Sequence, residues 1–197
     1  MKKIFALLAL VAATSAFAGE NGINVEFERD RATTTGNTMS NEIRIAPYYK
    51  FDNGVKADIQ VGATRDDGTV AGNNNPITNS AEARVERMYQ VYPGLHLGAR
   101  VGLGETFNGT NKAGNTVDFG YYTIEPKAEY KATQDLSLLA SWKFKDAFSD
   151  SDGNLTRTWK AGFGYDITKK DLVEVKYVHQ RGDFKTNGVE LGYTRGF

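Results

Sequence analysis

The stretch that decides the fold runs from residue 42 to residue 64 and reads EIRIAPYYKFDNGVKADIQVGAT. Apolar and polar residues alternate on both sides of its Asn53-Gly54 dipeptide, and an alternation of period two is typical of β-strands. An Asn-Gly pair tolerates the positive φ angles of a tight hairpin turn. The stretch therefore predicts two antiparallel strands, Glu42–Phe51 and Val55–Thr64.

The same alternation continues in both directions along the chain, in segments of roughly ten residues that turn residues separate. The connections alternate between short turns and longer loops rich in Gly, Asn, Thr and Asp, as in an up-and-down meander. We therefore predict ten strands, with eight and twelve as alternatives. The further predicted strands are Ile23–Arg31, Ala81–Tyr92, Leu95–Gly104, Tyr121–Lys131, Leu136–Phe148, Thr156–Ile167, Leu172–Arg181 and Gly188–Phe197.

The composition excludes several classes of protein. The 197 residues contain no cysteine, which rules out a disulfide-stapled domain and a cysteine-ligated metal centre. The 24 basic residues balance the 24 acidic ones, whereas a nucleic-acid-binding protein carries a basic excess. We therefore expect a single domain that binds no nucleic acid.

The first 18 residues have the pattern of a secretory signal peptide. Lys2 and Lys3 precede an apolar run, and Ala16-Phe17-Ala18 is a small-x-small cleavage site. We predict cleavage after Ala18, so that residues 1–18 are the signal peptide and residues 19–197 form the mature domain. A short N-terminal anchor helix is the alternative.

The apolar face of the strands either packs inward in a soluble sandwich or meets lipid in a membrane barrel. The polar face carries glycines at strand centres, and a glycine there makes room for long side chains from neighbouring strands. Lipid supplies no hydrogen-bond partners, so a sheet that spans a membrane has no free edge. We therefore predict an all-β fold, a closed antiparallel up-and-down transmembrane β-barrel. The glycines concerned are Gly62, Gly98, Gly102, Gly162, Gly164 and Gly192.

The signal peptide, the absence of cysteine and the alternating strands resemble those of a Gram-negative outer-membrane β-barrel. The last strand is similar to the assembly signal of that class, which Glu190, Gly192, Tyr193 and Phe197 match, whereas Arg195 stands where a second aromatic is usual. The size and the pattern of hairpins look most like those of small monomeric porins of the oligogalacturonate-specific type. The resemblance implies a location in the outer membrane and partners that include lipid, lipopolysaccharide and the barrel-assembly machinery.

The inward face of such a barrel carries charges of both signs. Its first four strands place four bases and seven acids inside, and the other six place six bases and five acids. We interpret this as a transverse field across a narrow aqueous pore, with a salt-bridged plug as the alternative. The predicted pore-lining residues are Glu26, Glu28, Glu42, Arg44, Glu82, Arg84, Arg100, Glu125, Lys127, Lys143, Lys145, Lys160 and Lys176.

We expect a porin-like channel for passive diffusion of small polar solutes, without catalysis, cofactor or metal. One alternative is a non-conducting structural or adhesive barrel that acts through the loops Ala32–Ser40, Arg65–Asn79 and Thr106–Thr116. Another is a hydrolase at the barrel rim that uses His179 with Asp183, although no nucleophile accompanies this pair.

Two further features need an interpretation. Arg87 falls on the lipid face in mid-strand, where an arginine costs roughly 2–4 kcal/mol. We predict a bulge near Glu86 to Met88, and the alternatives are a different depth of Arg87 in the membrane or a contact with a partner subunit. The loop with Asp150, Asp152 and Asn154 has oxygen donors at alternate positions, but the glutamate of a calcium loop is absent. We interpret this loop as a solvated turn.

Overall fold

The computed structural model describes residues 19–32, 39–66, 77–110, 115–149, 155–182 and 185–197, and these form ten strands. Every predicted strand is present. The strands are β1 Gly19–Ala32, β2 Met39–Phe51, β3 Val55–Asp66, β4 Ile77–Tyr92, β5 Leu95–Thr110, β6 Thr116–Lys131, β7 Leu136–Ala147, β8 Thr156–Asp166, β9 Asp171–Gly182 and β10 Thr186–Gly196.

Each strand pairs antiparallel with its neighbours in sequence, and β1 pairs with β10 to close the barrel. The closing register runs from Gly22 opposite Gly196 to Ala32 opposite Thr186. A closed ladder leaves no sheet edge, so the predicted barrel is confirmed and the open sandwich is excluded. The described residues contain no helix long and apolar enough to cross a membrane.

The two ends of the barrel differ in their connections. Residues 52–54, 93–94, 132–135 and 167–170 join strands at one end, which we call the short-turn end; the other is the long-loop end. Gly54 and Gly94 occupy turns with φ near +80° and +79°, a conformation that a Cβ atom disfavours. These short connections give the hairpins their fixed registers.

Several strands extend further toward the long-loop end than the alternation predicts. β5 was predicted to end at Gly104 but continues to Thr110, and β6 begins at Thr116 rather than Tyr121. β4 likewise begins at Ile77 instead of Ala81. Polar residues such as Thr and Asn interrupt the apolar pattern there, yet their backbones still form ladder hydrogen bonds. Backbone pairing thus continues beyond the part of the sheet whose outer face is apolar.

The inner and outer faces of the barrel carry opposite chemistry. Glu26 and Glu82 face the interior and are almost inaccessible, whereas Val85 and Phe163 are about half exposed on the outside. The exterior also carries a cluster of aromatic rings on β6, β7 and β8, with centroids about 6 Å apart. This cluster comprises Tyr122, Trp142, Phe144, Phe148 and Trp159.

The predicted bulge at Arg87 is wrong. Arg87 lies opposite both Val55 and Ala99 in an unbroken register, and the only irregularity between β4 and β5 lies between Gln90 and Tyr92. The side chain points outward and is exposed, with its guanidinium 4.7 Å from the ring centroid of Tyr89. Because Val55 directly follows a short turn, Arg87 lies near the short-turn end and not at mid-strand. The estimate of its depth, and not the register, was in error.

Candidate functional site: the barrel interior

The barrel interior contains all thirteen predicted pore-lining side chains. The barrel divides into two sets of five adjacent strands, β8–β9–β10–β1–β2 and β3–β4–β5–β6–β7, which form opposite walls. On the first wall lie Glu26, Glu28, Glu42, Arg44, Lys160 and Lys176, and on the second lie Glu82, Arg84, Arg100, Glu125, Lys127, Lys143 and Lys145. Their placement inside follows from the strand alternation, while their role in lining a pore stays a prediction.

Glu190 is the centre of the ion-pair network on the first wall. Its side chain is 1% exposed and contacts the Nη2 atom of Arg44 at 2.7 Å and the Nζ atom of Lys176 at 3.2 Å. Lys160 forms a third ion pair with it and also reaches Glu28 at 3.6 Å. Burial of an uncompensated charge at this depth costs several kcal/mol, and the three ion pairs offset this cost for the Glu190 carboxylate.

Arg44 links the rest of this network. It lies 3.0 Å from Glu26 and 3.6 Å from Glu42, and it also pairs with Glu28. The Nζ atom of Lys176 also forms an ion pair with Glu174 at 3.0 Å, which brings Glu174 into the network. The network therefore joins five carboxylates to three bases, an excess of two negative charges, and we call this wall the acidic half.

The second wall holds smaller groups of ion pairs. Arg84 donates to Asp58 at 2.6 Å, and both side chains are less than 5% exposed. Lys143 pairs with Glu82 at 3.2 Å, and Glu82 also accepts a hydrogen bond from Thr123. The pairing of each carboxylate with a base or hydroxyl group keeps the buried oxygens satisfied.

A separate four-residue network lies on the same wall. Arg100 contacts Glu86 at 2.6 Å and Glu125 at 3.5 Å, and Lys127 contacts Glu86 at 2.7 Å. All four side chains are at most one-quarter exposed. Two bases and two carboxylates balance each other in this network.

Two lysines of the second wall lie against aromatic rings. The Nζ atom of Lys145 is 3.8 Å from the ring centroid of Tyr121, and that of Lys56 is 4.2 Å from the ring centroid of Tyr48. Neither lysine forms an ion pair among the residues that the structure describes. Cation–π contacts offset part of the cost of burying such charges.

The two lysines give the second wall an excess of two positive charges, since seven bases there face five carboxylates when the pair of Lys131 and Glu129 is included. We call this wall the basic half. The division by chain order, with an acidic excess in β1–β4, also separates two sets of adjacent strands in the closed barrel, so it stays a prediction. The ion pairs group the charges differently, because closure places β1 beside β10 and β4 beside β5.

Two cavities occupy the interior. One, of about 190 Å³, lies toward the short-turn end, and the other, of about 140 Å³, lies toward the long-loop end. Four side chains border both cavities, and we call them the waist: Arg44, Gln60, Lys143 and Lys160. Two come from each half, and three of the four are bases, so the waist itself is basic.

The residues of the proposed assembly signal lie in different environments. Glu190 belongs to the interior network, whereas Tyr193 faces outward and its hydroxyl donates to Asp171 at 2.6 Å. Phe197 is 69% exposed, and its backbone N–H donates to the Asn21 carbonyl oxygen. Gly192 faces inward beside Glu174, and Arg195 is exposed, 3.6 Å from Asp171. A role for these residues in assembly stays a prediction.

His179 does not face the lumen. It lies on the outer face of β9, where its Nδ1 atom is 2.6 Å from Asn187 and its Nε2 atom accepts from Arg181 at 2.8 Å. Its suggested partner Asp183 lies outside the described residues, as do Asp150, Asp152 and Asn154 and the signal peptide. The described residues contain no cluster of three or more groups suited to a metal ion.

Sequence reasoning missed one residue of the interior, Tyr121, which is 3% exposed inside the barrel. Glu190 was placed on the inward face as well as in the assembly signal, but the bases that it contacts were not predicted. Strand parity places both residues inside, whereas the sequence contains no signal for which bases they contact.

Known structures share this fold. An outer-membrane channel from Pseudomonas putida F1 is 12% identical, with 91% of this chain and 96% of that chain covered and a TM-score of 0.55. The β-domain of the Bordetella autotransporter BrkA is 15% identical, with 91% and 100% covered and a TM-score of 0.53. The NanC porin is 10% identical, with 90% and 98% covered and a TM-score of 0.50.

No protein-family model matches the sequence, and no curated protein matches it significantly. Identities this low establish the fold alone, so the resemblance to oligogalacturonate-specific porins stays a prediction about substrate. The channel, the porin and the autotransporter domain nevertheless share one architecture with this chain. With its ten closed strands, apolar exterior and ionic interior, the chain has the fold of the outer-membrane β-barrel proteins.

Proposed function

We propose that the protein is a narrow porin-like channel of the outer membrane through which small polar solutes diffuse passively. The observation that carries this proposal is the pair of polar cavities on either side of the waist. The acidic half faces the basic half across the lumen, and a transverse field of this kind orients dipolar solutes in a narrow passage. The proposal includes export with cleavage after Ala18 and contact with lipid, lipopolysaccharide and the barrel-assembly machinery.

Single-channel recording in planar bilayers tests the proposal. The refolded protein is expected to give discrete conductance steps smaller than those of open sixteen-stranded porins, because a ten-stranded barrel encloses a narrower lumen. Absence of discrete steps at any protein concentration that inserts would overturn the proposal.

A variant pair tests the position of the constriction. Lys143 borders both cavities and is 19% exposed, so Lys143→Ala is expected to widen the waist and raise the unit conductance. Lys50→Ala is the matched control, because Lys50 is 52% exposed and borders neither cavity. Equal conductance of the two variants would place the constriction elsewhere.

The same ion pairs favour a second function, a non-conducting barrel that acts through its loops. The side chains of Glu190, Asp58 and Arg84 are almost inaccessible, as in a filled interior. In that case the bilayer recordings show no conductance steps. Deletion of residues 67–76 is then expected to abolish binding of cells that carry the protein to their target. Discrete conductance steps in the wild-type protein would exclude it.

A further inference from the structure

Five arginines point outward near the long-loop end. They lie on β8, β9, β1 and β3, which belong to one arc of six adjacent strands from β8 through β10 and β1 to β3. All five are exposed, and none forms an ion pair with a carboxylate among the described residues. We call them the arginine belt: Arg29 and Arg31 on β1, Arg65 on β3, Arg157 on β8 and Arg181 on β9. Within the described part of the chain, no carboxylate neutralises these five charges on the outside of the barrel.

Two members of the belt lie directly opposite each other. Arg157 and Arg181 are cross-strand partners in the β8–β9 register and share the outer face. Residues in this relation have Cβ atoms about 5 Å apart, and like charges there destabilise a sheet. An anion bound between the two guanidinium groups removes that repulsion, so the pair is expected to favour a bound anion.

The aromatic cluster fixes the level of this pair relative to a membrane. Trp142 and Trp159 pack with ring centroids 5.7 Å apart on the outer face, and rings of this type lie at the membrane interface. Arg157 lies two residues from Trp159 toward the long-loop end, directly opposite Phe144 of the same cluster. Its guanidinium group therefore lies at the level of the aromatic interface, from which a long arginine side chain reaches the lipid headgroups.

Neighbouring side chains hold Arg181 in position. Its Nε atom donates to His179 Nε2 at 2.8 Å, and His179 Nδ1 lies 2.6 Å from the Asn187 side-chain oxygen. The Tyr177 hydroxyl donates to the same oxygen at 2.9 Å. Within the described ranges only Nε of Arg181 forms a side-chain hydrogen bond, so its two terminal nitrogens can donate to a phosphate in the bidentate manner typical of arginine.

Outward-facing acids near the long-loop end lie on the other side of the barrel. Glu105, Asp118 and Asp146 are on β5, β6 and β7, which carry no member of the belt. Among the described residues, the outer surface near the long-loop end therefore carries bases and no acid on β8, β9, β1 and β3.

We propose that the arginine belt binds the phosphate groups of anionic lipid in the leaflet at the long-loop end, with one phosphate held between Arg157 and Arg181. The lipid is of the phosphorylated lipid A type, whose headgroup carries phosphates at the level where the belt lies. This site is on the outside of the barrel, so it stands or falls independently of conduction through the lumen.

The experiment measures binding of diphosphorylated lipid A to the refolded full barrel in neutral detergent by native mass spectrometry. The double variant Arg157→Gln/Arg181→Gln is expected to bind lipid A at least about tenfold more weakly than the wild type. Each substitution removes charge-assisted hydrogen bonds to the phosphate. The matched control is Arg87→Gln/Arg195→Gln, which removes two exposed outward arginines at the short-turn end and is expected to bind like the wild type.

Three results would overturn the proposal: equal binding by the belt variant and the wild type, equal binding of dephosphorylated lipid A, or equal weakening in the control. Displacement of the lipid by an equal concentration of inorganic phosphate would overturn the assignment to a lipid headgroup. Should the double variant fail to refold, Arg181→Gln and Arg157→Gln are measured singly. Without lipid, each is expected to raise the thermal midpoint, because the like-charge contact is gone, and a lowered midpoint contradicts that reasoning.

Discussion

Replacement of Glu190 by glutamine tests whether the interior network stabilises the barrel. The carboxylate is 1% exposed and contacts Arg44, Lys160 and Lys176. None of these bases is left without a carboxylate in Glu190→Gln, because Arg44 and Lys160 keep Glu28 and Lys176 keeps Glu174. Three bonds between a base and a carboxylate become bonds between a base and a neutral amide at a cost of about 1 kcal/mol each, so we expect a loss of about 3 kcal/mol.

Urea titration of the protein in phospholipid vesicles, followed by the fluorescence of Trp142 and Trp159, measures this loss. The matched control is Glu20→Gln, because Glu20 is 73% exposed and lies 3.6 Å from Lys50. An exposed pair contributes less than about 1 kcal/mol, so the control is expected to unfold close to the wild type. If Glu190→Gln also unfolds within about 1 kcal/mol of the wild type, the network does not stabilise the barrel in this way.

Two further predictions use the same titration. Gly94→Ala is expected to lower the free energy of unfolding by about 1–2 kcal/mol, because φ at this turn is +79° and an added Cβ atom would lie 3.1 Å from the Lys131 carbonyl oxygen. An unchanged midpoint would show that the turn relaxes without cost. Arg87→Leu is expected to change the free energy by less than about 1 kcal/mol, since the residue lies near the short-turn end. A gain of about 2–4 kcal/mol would instead place Arg87 deep in the hydrocarbon.

The alternation of residue types was sufficient to predict the strands, their order and the face on which each side chain lies. In β3, for example, Lys56 and Asp58 face inward as their parity requires, and Val61 faces outward. This works because one register slip would move every apolar side chain of a strand to the wrong face. The depth of Arg87 was not predictable, because it depends on where the strands end, and polar strand ends resemble loops.

The partners of the interior charges were also beyond the sequence. Lys143 on β7 reaches Glu82 on β4, three strands away, and Lys160 on β8 reaches Glu28 on β1. Such contacts depend on barrel closure and on the length of flexible side chains, neither of which a period-two pattern contains. A count of charges by chain order therefore assigned the right residues to the interior without identifying their partners.

The pairing of β1 with β10 also constrains how the molecule is made. Gly22 and Gly196 become neighbours although nearly the whole chain separates them, and loop closure over such a distance is slow. Until residues 186–196 join the sheet, β1 and β9 each present a row of unsatisfied N–H and C=O groups that any other strand is able to pair with. The folding protein is thus most exposed to misassembly just before the barrel closes. Pairing of the final strand with β1 removes both open edges and with them the sites of wrong pairing.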